Sequence, residues 1–218
     1  MRLTAPLRAG LMAVALSTGL MAAHPAQADF VPGGYQIGSQ QFGLTGGTFD
    51  AGGFKGTWNA TPIIFWCIEL TQTFSFGTHY TTYTPSAASN ALLSQLFTAA
   101  YAGALSSTQN SAAFQLAIWE IIYDGGDLNL SGGGFKVLDN KGNGATVATA
   151  QGFLNSVLAA SPTYNLFFLT EANHQDFVTA NLIPTTTTRV PEPGSLALIA
   201  IALIAAGFVR ARSARAAG

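Results

Sequence analysis

Residues 35–58 alternate apolar and polar positions between glycine pairs, as in GGTFDAGGFKGTW. That pattern predicts short strands joined by tight turns. Residues 63–69, IIFWCIE, are a run of β-branched and aromatic side chains, which predicts a buried strand. Residues 73–76 and 79–84 predict a following strand pair, with Gly77 near its turn. The period then changes. Across residues 86–104, Leu92, Leu93, Leu96, Phe97 and Tyr101 recur at helical spacing. A polar loop, SSTQN, follows at 106–110, and SAAFQLAIWEIIYD at 111–124 predicts a second helix closed by two glycines. Residues 145–160 predict a third helix, and 164–170 and 176–183 two late strands. Strands, then helices, then strands argue for the α+β class rather than a parallel βαβ fold. The expected body is an antiparallel β-rich sheet or sandwich with an inserted helical segment.

Both ends read as targeting segments. Arg2 and Arg8 flank a positive region, residues 9–23 are apolar, and Ala26 and Ala28 frame Gln27 in an A-x-A site. This is the pattern of a secretory signal peptide over residues 1–28, cleaved between Ala28 and Asp29. At the other end a TTTT tether at 185–188 leads to VPEPGS, an apolar run from 196 to 209, and RARSAR. The run is shorter than the ~20 residues that comfortably span a bilayer. The arginines behind it favour a cytoplasmic end. Pro191, Glu192 and Pro193, the apolar stretch and the arginine cluster together resemble the PEP-CTERM sorting signal. The resemblance implies a Gram-negative-type bacterium, transient holding in the inner membrane, and removal of the tail by an exosortase. It further implies a destination outside the inner membrane, often linked to extracellular polysaccharide and biofilm.

Between these ends, residues 29–184 are expected to form one globular domain. From 29 to 188 three lysines face nine carboxylates with no arginine, a formal charge of −6 with histidine neutral. An acidic, lysine-poor surface is a poor nucleic-acid binder. Its abundance of Gly, Ser, Thr and Asn suits a secreted surface that is hydrated without being highly charged.

Cys67 is the one cysteine of the chain, so an internal disulfide is impossible. An exported free thiol forms mixed disulfides unless it is masked. Burial masks it, and a free cysteine often does no more than fill space. The helix at 111–124 is apolar almost all round, yet it contains Gln115. Gln115, Ile118, Trp119 and Ile122 share one face. A buried amide needs partners or costs on the order of 1–3 kcal/mol. Gln115 therefore points at a polar feature or is chemically consumed.

WCIEL at 66–70 resembles the cysteine motif of bacterial thioester domains, and FQLAIW at 114–119 resembles their glutamine motif. SNALLSQLFTAAY at 89–101 is similar to the leucine-rich helix that those domains place between the two. The resemblance implies a thioester-domain-like fold, with Cys67 as the thiol and Gln115 as the acyl donor. In that family the thiol attacks the amide carbonyl and expels ammonia. The resulting thioester is an electrophile for surface amines or hydroxyls, on protein or polysaccharide, and gives covalent adhesion. Glu69, two residues from Cys67, falls on the same strand face and is a candidate proton shuttle. The competing reading, which the sequence favours, is a solvated acid at a strand end. Glu120 is expected to serve backbone or tyrosine groups.

Other signals are negative. His79 and His174 show no ligand spacing to Cys67 or to each other, so no metal or other cofactor is expected. GxSxG is absent, and SGGGFK at 131–136 lacks the phosphate-loop ending, so no enzyme activity is expected. DGGDLN at 124–129 and DNKGNG at 139–144 hint at calcium loops but do not complete an EF-hand, and turn chemistry accounts for them. Tyr35, Trp58, Tyr80 and Tyr83 read as a sugar-stacking face or as cross-strand and core aromatics. Two functions remain open: a covalent adhesin, and a non-covalent structural or glycan-associated matrix protein with an inert Cys67.

Overall fold

The computed structural model describes residues 28–125 and 127–180. Residues 1–27 of the expected leader, the end of the last expected strand, the threonine tether and the sorting tail lie outside the described residues. The elements run β1 (Phe30–Tyr35), β2 (Gln40–Leu44), β3 (Gly47–Ala51), β4 (Phe54–Trp58), β5 (Thr61–Cys67), β6 (Thr84–Ala87), α1 (Ala91–Ala104), α2 (Thr108–Asp124), β7 (Val137–Asp139), α3 (Gly144–Val157), β8 (Leu166–Glu171) and β9 (His174–Ala180). One sheet has the order β1-β4-β5-β9-β8-β6 and a second the order β3-β2-β7, with every pairing antiparallel. The fold is thus α+β with antiparallel sheets, and the three helices enter between β6 and β8.

Local sequence explains these elements. The β4–β5 hairpin turns on Asn59 and Ala60, both at positive φ, which is the turn geometry whose twist matches that of paired strands. Asn59 Oδ1 also accepts a hydrogen bond from Asp29 N at 2.9 Å. Asn90 caps α1 by accepting from Leu93 N, and Ser107 caps α2 by accepting from Asn110 N. The core is built of aromatic rings. Phe30 is fully buried, with the rings of Phe65, Tyr83 and Phe177 centred 5.0, 4.9 and 5.4 Å away. Three of the four aromatics of the supposed sugar face, Trp58, Tyr80 and Tyr83, are buried in this core. Among the described residues no helix is long and apolar enough to cross a membrane.

Several boundaries differ from expectation. Residues 73–76 and 79–84 do not form a strand pair. They run as turns and loop as far as Thr84, where β6 begins, with one bridge from Tyr80 to Phe30. Their alternation reflects anchoring: Tyr80 and Tyr83 are buried, and the Tyr80 hydroxyl accepts from Ser75 N at 2.8 Å. The stretch expected to begin the first helix is instead β6, paired with β8, and the helix waits for its cap at Asn90. The polar SSTQN stretch is mostly the cap and first turn of α2. β7 lies where the sequence suggests only turns.

Candidate functional site

The site arises where two strands part. β4 and β5 pair from Trp58↔Thr61 to Phe54↔Phe65 and then separate. Beyond that point Cys67 has no β4 neighbour. Its other edge still carries the ladder to β9, where Cys67 lies opposite Phe177 and Ile68 N donates to Asp176 O. The vacated edge is filled by a side chain. Gln115 of α2 accepts from Cys67 N through Oε1 at 3.0 Å and donates from Nε2 to Cys67 O at 2.8 Å. The amide thus mimics the missing strand.

This contact belongs to a stripe along α2. Ser111, Gln115, Trp119 and Tyr123 are spaced one turn apart. Ser111 Oγ accepts from Gly53 N at 2.8 Å, in the link between β3 and β4. Tyr123 Oη accepts from Leu70 N at 2.9 Å. The stripe stitches the helix to the strand backbone on both sides of the separation. Gln115 is 1 % exposed and Cys67 7 % exposed, so the pair is shielded from water.

A cleft of about 500 Å³ opens beside the pair, and its lining includes Cys67, Glu69, Gln72, Phe74 and Trp119. Burial pushes the Cys67 thiol far above its ordinary range, and the Glu69 carboxylate adds to this. Glu69 is itself raised by burial, although Asp176 N donates to its Oε2 at 3.3 Å. Gln72 Oε1 and Trp119 Nε1, both on cleft residues, are buried without a hydrogen-bond partner among the described residues.

The sequence-derived candidates are therefore brought together. Cys67 and Gln115 touch across 48 residues of chain. Glu69 lies beyond the end of β5, so strand alternation does not place it; the continuation of the chain along β9 does, through the bond from Gln175 Nε2 to Glu69 O. Ala28 and Asp29 stand at the start of the described residues, and Asp29 pairs with His79 Nδ1 at 2.9 Å. Ser111 escaped sequence reasoning because a serine near a helix start reads as polar surface. Also missed was the grouping of Glu120, Asp124 and Asp127, which offer oxygens within 4.8 Å of one another. Glu120 Oε1 accepts from Asn129 N at 2.9 Å, the backbone role expected of it. Burial, aided by the neighbouring aspartates, pushes its carboxyl up to about 7.

Comparison with known proteins identifies one feature. The family of the PEP-CTERM protein-sorting motif matches residues 189–213, which contain Pro191, Glu192, Pro193 and the apolar run. The chain carries the sorting signal of an exported protein processed by an exosortase. No curated protein and no solved structure matches the chain. The likeness of the body to thioester domains accordingly rests on residues 66–124 alone.

Proposed function

We propose that this exosortase-processed protein attaches covalently to an external surface through a thioester between Cys67 and Gln115. The observation that carries this reading is the pair of bonds between the Gln115 amide and the Cys67 backbone. They hold the acyl carbon next to the residue that bears the thiol, and such positioning supplies much of the barrier lowering in intramolecular reactions. The Cys67 N–H already donates to Gln115 Oε1 at 3.0 Å, where negative charge would develop on attack. In the reaction the Cys67 S–H proton leaves, sulfur bonds to the Gln115 acyl carbon, and the C–N bond breaks. The departing nitrogen gains the proton and leaves as ammonia, with no change of oxidation state. The raised thiol makes a base necessary, and Glu69 in the same cleft is the candidate carrier of that proton. An amine or hydroxyl entering the cleft would then take the acyl group and release the thiol.

A second reading is favoured by one specific fact: both polar atoms of the Gln115 amide are satisfied as they stand. On this reading Gln115 is a strand-edge cap, Cys67 is inert, and the aromatic cleft holds matrix glycan by stacking and by the unpaired groups of Gln72 and Trp119. Reaction with methylamine separates the two. The thioester predicts an adduct on Gln115 and a newly alkylatable Cys67, both abolished by Cys67→Ala. Inertness toward methylamine in a folded protein with a free thiol supports the cap.

A further inference from the structure

We propose that Glu120, Asp124 and Asp127 form a calcium-binding site at the C-terminal end of α2. One oxygen from each carboxylate lies within 4.8 Å of the others. Such a grouping is common on surfaces and means little alone, but Glu120 is not on the surface. It is fully buried, and its Oε2 has no hydrogen-bond partner among the described residues. A buried, unpaired carboxylate oxygen beside two further carboxylates is an arrangement that asks for a cation.

No donor of opposite charge answers. Of the ion pairs among the described residues, none involves these three acids. The position adds to the demand. The C-terminal end of a helix carries partial negative charge, which disfavours carboxylates and favours a cation. The neighbouring loop also comes close. Gly133, at φ +67°, lies so near that a Cβ there would collide with the Asp124 carboxylate and come within 2.8 Å of Asp127 Oδ2. Gly134 N and Phe135 N both donate to Asp124 Oδ2. Those bonds fix Asp124, while its other oxygen accepts no side-chain or backbone hydrogen bond among the described residues. The donor set is all oxygen, which selects a hard cation. Three carboxylates from a helix end and the segment after it suit the flexible, oxygen-rich shell of calcium. This site stands apart from the Cys67–Gln115 pair and does not depend on it.

The test is thermal unfolding of the purified full chain, stripped with EDTA and titrated with calcium chloride, with calorimetric titration alongside. Binding predicts a Tm increase of about 5–10 °C at calcium a hundredfold above Kd. Glu120→Gln and Asp127→Asn should each remove the increase, whereas Asp139→Asn, an exposed acid paired with Lys141, should keep it. Asp127 is exposed, so its variant keeps the test decisive if Glu120→Gln fails to fold. Absence of both the calcium-dependent shift and the binding heat would overturn the proposal and leave a proton shared among the carboxylates. A shift that survives both substitutions would overturn it too.

Discussion

The two ends of α2 bury polar groups in opposite ways. Near its start, Ser111 and Gln115 are inside the protein, and their side chains bond backbone groups of β5 and of the link between β3 and β4. Near its end, Glu120 is equally buried beside two other carboxylates, and its Oε2 has no hydrogen-bond partner among the described residues. Burial is the same; satisfaction is not. A paired amide stabilises the unreacted fold and sets up a reaction at its own carbonyl. An unpaired carboxylate destabilises the fold until something fills the gap.

The largest expected effect on that contrast comes from Gln115→Leu. Made in a Cys67→Ala background, where the amide stays intact, it leaves the N–H and C=O at position 67 buried and unpaired, and urea unfolding should show a further loss of about 2–5 kcal/mol. A loss below about 1 kcal/mol would mean that the seam contributes little. Next is the thiol. After methylamine treatment Cys67 should alkylate roughly a hundredfold more slowly in the folded protein than in urea, because burial disfavours the thiolate. The sign of its pH dependence follows: a raised thiol ionises later, so the native rate should still climb about tenfold per pH unit at pH 9 with no plateau. A plateau near the ordinary thiol range would contradict the burial. Glu120→Gln should move stability in the opposite direction to Gln115→Leu. In EDTA it keeps an acceptor for Asn129 N and removes a buried charge, for a gain of about 1–2 kcal/mol by urea unfolding. Destabilisation in EDTA would show that the carboxylate is already compensated. The smallest effect is Ser111→Ala, about 1 kcal/mol, from one lost acceptor for Gly53 N.

How legible this was in the sequence depended on range. Helix α2 was readable because apolar residues occupy nearly all of its faces and glycine ends it. Gln115 stood out as the amide in an apolar stretch, and Cys67 as the lone thiol of an exported chain. Their meeting drew on family likeness, since no local rule links residues that far apart in the chain. The strand-edge role of Gln115 was not readable at all, because it depends on where β4 leaves β5. Residues 73–84 misled because alternating aromatics signal a strand whether they line a sheet or anchor a loop. The acidic grouping was hidden for a related reason. DGGDLN has ordinary turn chemistry, and Glu120, which gives it a buried member, belongs by sequence to the helix.

Intact mass reads the presence or absence of the Cys67–Gln115 bond. Purified under native conditions without amines, the exported domain should weigh one ammonia less than its sequence requires. Methylamine should then add its full mass at Gln115. A native, unmodified mass together with quantitative alkylation of Cys67 before any amine is added would contradict the account and leave Gln115 as a cap for the strand edge.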